Sequence, residues 1–284
     1  MFADSHTHIL MTSKKIENPT EMMSSLKEEG FRFIMDIGTE SGDLKNRMEC
    51  VKDISGGEIP SFIHFSAGLW PHTQTIANRD EALKMLEDDI KIGLNEAQKT
   101  SLPIFALGEC GLDRYWNGKD APMLNEGGTL DVQGEKELFI EQLKMAKKYD
   151  LSVIIHSREA YQETLECIDE VGWHKGVIHC YSYGEDEAKT FLERGWFISF
   201  PGNITFAKTN TAIQKIKSLV LSIPKERLLL ETDAPYMTPV PMRGKPNTSL
   251  YIKHTYQRMS EYLGIPVAKL CDIVFENCCK LFGV

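Results

Sequence analysis

The sequence predicts an α/β fold, a (β/α)8 TIM barrel with a metal site at the C-terminal mouth of its strands. Three observations predict it. Eight short apolar runs alternate with amphipathic stretches; most of those runs are apolar on successive residues; and histidines and carboxylates recur where the runs end. Successive apolar residues are what parallel strands buried on both faces require.

The strand candidates are Phe2–Asp4, Phe31–Ile37, Phe62–Ala67, Ile104–Leu107, Ser152–Ile155, Gly176–Ile178, Trp196–Phe200 and Leu228–Leu230. Between them run helical patterns. In Glu135–Tyr149 the residues Phe139, Leu143 and Ala146 share one face while Glu and Lys fill the rest. Comparable stretches are Thr20–Glu29, Asp43–Val51, Glu81–Ile92, Ala160–Glu170, Glu185–Glu193 and Thr211–Leu221, with Leu250–Tyr262 and Val267–Phe282 after the eighth strand. Eight β-then-α units close most simply as a barrel. An open doubly wound sheet is disfavoured, because no Gly-rich phosphate loop follows the first strand. There is no internal repeat, low-complexity tract or Pro/Gly/Ser linker, so residues 1–284 are expected to form a single domain, a length normal for one barrel of about 250 residues.

A net charge of −9 works against sequence-independent coating of nucleic acid, which needs Lys and Arg to neutralise phosphates. A phosphodiesterase stays possible, since bound cations make an acidic site locally positive. Seven cysteines occur, and no pair has the spacing of a zinc knuckle or a thioredoxin-like motif. They read as reduced thiols, which points to a cytoplasmic location. No apolar run approaches the roughly 18 residues of a membrane span. A cleaved leader is not expected either, because its removal would take candidate site residues His6 and His8 with it.

Six residues carry the chemistry: His6 and His8 after the first strand, Glu109 after the fourth, His156 and His179 ending the fifth and sixth, and Asp233 after the eighth. Strand ends of one barrel converge on one mouth, where barrel enzymes place their sites. Residues i and i+2 of an extended strand point the same way, so His6 and His8 are able to grip one ion together. Each residue alone has a plainer reading: a hydrogen-bonded rim histidine, a turn cap at Glu109, an N-cap at Asp233. Their shared placement at strand ends is what favours metal binding. His64 reads as core, His174 and His254 as surface, and His72 as a substrate-side residue at the end of the third strand.

At this point the chain resembles the TatD family of metal-dependent deoxyribonucleases. The matching residues are Asp4-Ser5-His6-Thr7-His8, Gly108-Glu109-Cys110-Gly111-Leu112-Asp113, Ile154-Ile155-His156-Ser157-Arg158, His179-Cys180-Tyr181-Ser182, Gly202-Asn203-Ile204-Thr205-Phe206, Glu231-Thr232-Asp233-Ala234-Pro235-Tyr236 and Arg243-Gly244-Lys245. The resemblance implies two divalent ions. His6, His8 and Asp233 would hold one, His156 and His179 the other, with Glu109 bridging. Mg²⁺ would support activity, with Zn²⁺ or Mn²⁺ as further occupants. It implies hydrolysis of DNA phosphodiesters by an activated water, with Asp233 orienting that water or taking its proton. The DNA substrate would be met at a strand end or as a single strand, with no membrane and no obligatory protein partner. Arg158 and Arg243 read either as phosphate clamps or as surface salt bridges.

Three features depart from the family pattern: Trp70 stands where a His before Pro71 is usual, the loop Tyr115–Leu130 is long, and Asn247-Thr248-Ser249 lacks the usual acidic residue and Pro. The rival readings are a barrel phosphoesterase or amidohydrolase-type enzyme acting on a small-molecule ester or amide, and a non-enzymatic binding role. The second would be expected to show a lost ligand, and none is lost.

Overall fold

The first strand, β1 (Ala3–Thr7), is followed in the chain by β2 (Phe33–Asp36), β3 (Ile63–Ala67), β4 (Phe105–Asp113), β5 (Val153–Arg158), β6 (Gly176–Ile178), β7 (Phe197–Phe200) and β8 (Leu228–Leu230). In this computed structural model, which describes residues 1–100 and 105–283, the strands form one eight-stranded sheet in chain order. The register is parallel in the pairs β1–β2, β3–β4, β4–β5, β5–β6 and β7–β8. Parallel strands in sequence order, each followed by helix, are the (β/α)8 barrel architecture.

The helices are α1 (Ile9–Ser13), α2 (Pro19–Glu28), α3 (Leu44–Ser55), α4 (Thr73–Ala77), α5 (Arg79–Thr100), α6 (Val132–Tyr149), α7 (Tyr161–Val171), α8 (Glu185–Glu193), α9 (Asn210–Ser222), α10 (Ile252–Leu263) and α11 (Val267–Phe282). Local chemistry sets their ends. Asp131 caps α6 by accepting from the Gly134 amide, and α7 stops at Gly172, whose φ of 63° suits a residue without Cβ. None of the described helices is long and apolar enough to cross a membrane.

Strand limits differ from the sequence reading where polar residues enter the strand. β1 runs on through His6 to Thr7, β4 through Glu109 to Asp113, and β5 through His156 to Arg158. Their side chains interrupt the apolar run but not the ladder. Ile104, with which the sequence reading begins the fourth strand, lies outside the described residues.

The chain divides into two compact units, one comprising Met1–Asp36, Lys45–His64 and Tyr183–Val284, the other Ile37–Leu44 and Phe65–Ser182. In the first, the Tyr256 hydroxyl of α10 both donates to the Ala3 carbonyl and accepts from its amide, pinning β1. A Thr7–Ala234 bridge then joins the end of β1 to the segment after β8. In the second, Gln142 of α6 pairs with both backbone groups of Leu69.

His64 is core, as expected: it is 4% exposed and stacks on Phe33 at 4.6 Å between ring centroids. Burial holds its pKa down at about 4. A histidine whose folded pKa lies below its unfolded value leaves stability untouched above about pH 6.5. As pH falls through that value the unfolded chain binds the proton first, so stability is lost down to about pH 4, by roughly 3 kcal/mol in all. Acid titration of thermal unfolding should show this slope in the native chain, and a His64→Leu variant should flatten it. An unchanged slope would remove His64 as its source.

Candidate metal centre

The first unit gathers His6, His8 and Asp233. His6 is held in β1, and His8 is the N-cap residue of α1, with its amide donating to the Ala234 carbonyl at 2.8 Å. Asp233 sits in the left-handed region at φ 52°, where a non-glycine residue is rare. Its amide donates to the His6 carbonyl at 2.9 Å, which holds it there. The two imidazole Nε2 atoms lie 3.3 Å apart, and Asp233 Oδ1 is 3.7 Å from that of His6 and 3.6 Å from that of His8. Donors bound tetrahedrally at ~2.0–2.2 Å from one ion are about 3.4 Å from one another. Two imidazoles and a carboxylate at this spacing fit a divalent transition ion in both geometry and donor type.

Beneath this group Asp4 is fully buried and anchors the segment after β8. It accepts from the Thr232 amide and hydroxyl at 2.9 and 2.7 Å, from Ser249 Oγ at 2.7 Å and from the His6 amide at 3.3 Å. Burial pushes its carboxyl up to about 7 despite these four donors. Ser249 belongs to the stretch where the family's acidic residue and Pro are missing, so that stretch serves the scaffold here.

The second unit gathers Glu109 from β4, His156 from β5 and His179 just after β6. Glu109 Oε1 is 2.9 Å from His179 Nε2 and 3.0 Å from His156 Nδ1, and those two nitrogens are 3.3 Å apart. The other ring nitrogen of His156 meets Asp113 Oδ2 at 2.8 Å. Burial alone would lower the pKa of His156, but Asp113 and Glu109 outweigh it and lift it to about 9. Each ring nitrogen of His156 thus faces a carboxylate oxygen, a setting that favours positive charge. A carboxylate behind a ligating histidine fixes its tautomer and ring orientation.

Asp113 has no assigned role in the sequence reading. The signal was its even spacing from Glu109 along a strand, which puts both carboxylates on one side. Its second oxygen accepts from the Tyr115 and Trp116 amides at 2.9 and 3.1 Å, and its own amide donates to buried Glu135 at 2.8 Å.

The substrate-side residues divide. His72 is exposed at the N-terminus of α4, its Nδ1 accepting from the Gln74 amide at 3.3 Å. Arg158 ends β5 with its guanidinium 3.6 Å above the Tyr115 ring, and Arg243 in the first unit lies 4.1 Å over Phe206. Among the described residues neither arginine forms an ion pair, which leaves both charges available to an anion. Trp70 packs edge-on against His156 at 5.7 Å between ring centroids.

The model of the TatD-related DNase family matches residues 3–283. An uncharacterised metal-dependent hydrolase of Bacillus subtilis (strain 168), YabD, is 28% identical with both chains covered in full. An uncharacterised metal-dependent hydrolase named TatD, of Mycobacterium tuberculosis, is 30% identical over 64% of this chain and 65% of its own. Among solved structures, a TatD homologue of Escherichia coli K12, YJJV, aligns with a TM-score of 0.75 at 25% identity, covering 100% of this chain and 98% of the other. A TatD family hydrolase of Entamoeba histolytica shares the fold, with a TM-score of 0.77 at 19% identity over 99% of this chain and 97% of that one. With the strand order, the two ligand clusters and a family match spanning nearly every residue in agreement, the chain belongs to the TatD-related DNase family of metal-dependent hydrolases.

Proposed function

We propose that residues 1–284 act as one catalytic domain, a deoxyribonuclease that hydrolyses DNA phosphodiesters with two divalent ions. The observation that carries this reading is the pair of three-donor clusters in a member of a DNase family. His6, His8 and Asp233 would hold one ion, and Glu109, His156 and His179 the other, with Mg²⁺ as the working metal and Mn²⁺ or Zn²⁺ as alternatives. Bound ions of this kind lower the pKa of water and stabilise charge on an attacked phosphate.

The chain's own groups supply the rest. Asp233 orients the attacking water and takes its proton as the water oxygen bonds to phosphorus. The ester P–O bond breaks and the departing oxygen regains a proton. Asp113 keeps His156 turned toward Glu109. Arg158 and Arg243 meet phosphate oxygens as fork-shaped donors. The acidic surface disfavours long duplex and directs the site to a strand end or a single strand. The seven cysteines, none of them in a disulfide among the described residues, suit a reducing cytoplasm.

The test is an end-labelled single-stranded DNA assay on chelated protein, with Mg²⁺, Mn²⁺ or Zn²⁺ restored, run beside a generic phosphomonoester. Chelation should abolish shortening of the DNA, and added metal should restore it in the native chain but not in His156→Ala. Turnover of the small ester alone would keep the centre and discard the nuclease assignment.

A further inference from the structure

Beside His156 in the second unit a cleft of about 190 Å³ is lined by Trp70, Pro71, His72, Thr73, Trp116, Asn117, Glu126 and Gly127. It falls below the ~300–1,000 Å³ of sites for drug-sized ligands, and suits one ring system. Trp70 and Trp116 are both partly exposed, where a pair of core-filling indoles would be buried. Among the described residues no Lys or Arg lines the cleft, and the exposed Glu126 carboxylate at its rim repels phosphate. It offers indole surface, a carboxylate that accepts from amino groups, and one donor: His72 takes the Gln74 amide at Nδ1, so the neutral ring carries its proton on Nε2.

Its walls are built rather than incidental. Asn117 donates to the Pro71 carbonyl at 2.9 Å and accepts from the Thr129 amide at 3.1 Å. The Thr73 hydroxyl bonds the Gly127 carbonyl. A Cβ at Gly128 would lie 1.8 Å from the Trp116 carbonyl oxygen, so only glycine lets the loop close against that residue. Trp116 is in turn fixed through its amide by Asp113, and Trp70 touches the ring that Asp113 holds.

We infer that this cleft is a base-stacking subsite, holding the nucleobase of the nucleotide beside the cleaved bond between Trp70 and Trp116. Bases with exocyclic amino groups, such as adenine, suit Glu126. The inference rests on the nuclease reading for which bond is meant, but not for whether a base binds. Stacking on an aromatic side chain is sequence-tolerant because every base has a π-face, so the subsite positions a nucleotide more than it reads a sequence.

Adenosine, which has no phosphate to cleave, separates the two readings. Titrated into chelated protein, it should quench indole fluorescence saturably, and ribose 5-phosphate should not. Trp116→Ala should weaken adenosine roughly tenfold, and Trp116→Phe, which keeps a stacking ring, should recover most of that loss. With metal restored, an oligonucleotide made abasic beside the cleaved bond should show a KM raised roughly tenfold. Saturable binding that Trp116→Ala leaves unaltered would overturn the subsite, as would absence of any nucleoside binding. An unchanged KM for the abasic substrate would overturn it while leaving the nuclease reading intact. Adenosine binding without DNA cleavage would keep the subsite and reject the nuclease.

Discussion

Replacing Glu109 with alanine should cut metal-restored hydrolysis about 10³-fold or more while the chain stays folded. Glu109 Oε1 is the atom on which both His156 and His179 converge, at 3.0 and 2.9 Å. Without it two imidazoles remain, with no anionic donor between them, and the several kcal/mol of charge stabilisation that a bound ion contributes is lost. Folding should be little affected, because the strand ladder of β4 does not depend on that carboxylate. Removal also takes away one of the two anions that raise His156, so His156 should titrate nearer the ordinary histidine value by NMR. His6→Ala should match this loss of activity. Asp113→Ala, which within the centre loses only the contact to the far nitrogen of His156, should cost about 10–100-fold, the usual size of an effect behind a ligand. Turnover within tenfold of the native chain in Glu109→Ala, with its metal content unchanged, would end this assignment of ligands.

The largest effect on stability is expected from Arg47→Ala. Asp36, the last residue of β2, is fully buried, and its carboxylate takes the Arg47 guanidinium at 2.8 Å and the Ile9 amide at 2.7 Å. Removing one member of a buried pair typically costs about 3–5 kcal/mol, because the other charge is left without compensation. At about 2–4 °C per kcal/mol for a chain of this class, the thermal midpoint should fall by roughly 10 °C. Burial already pushes the Asp36 carboxyl up even with Arg47 in place. In the variant it should rise further, and protonation then becomes a way to relieve the cost. The folded form would bind that proton more readily than the unfolded form, so the variant should lose stability as pH rises through the Asp36 pKa. A deficit that is independent of pH and below about 1 kcal/mol would show that solvent reaches this pair. The double variant Asp36→Asn/Arg47→Met should recover much of the loss, since it leaves no charge behind.

Much of this was legible in the residues themselves. β6 and β8, α8 and α11 begin and end where their apolar patterns do. The i, i+2 spacing of His6 and His8 put both rings on one side of β1, and the structure places their Nε2 atoms 3.3 Å apart. What escaped follows two physical rules. Strands whose ends carry working residues lose their apolar signature there, so β1, β4 and β5 read short. Partnerships between distant segments leave no periodic trace, so the Asp36–Arg47 pair is not visible in the sequence, and the even spacing that sets Asp113 on the side of Glu109 does not show that it seats behind His156. The short helices α1 and α4 escaped for a further reason: their N-cap positions are held by His8 and His72, which read as site residues rather than as the Ser, Thr, Asp or Asn that announces a helix start.

Asp113 also sets a rule for remodelling this enzyme. One of its oxygens steadies His156, and the other takes the backbone amides that begin the long loop carrying Trp116. Past Asn117, which bonds both Pro71 and the Glu135 carboxylate that holds the Asp113 amide, a shortened, lengthened or exchanged loop should leave the centre undisturbed, because it hangs from a fixed root. A graft that breaks at residue 114 instead unseats the carboxylate and the histidine together, so a change meant to alter which substrate is held would be read in the assay as a loss of chemistry.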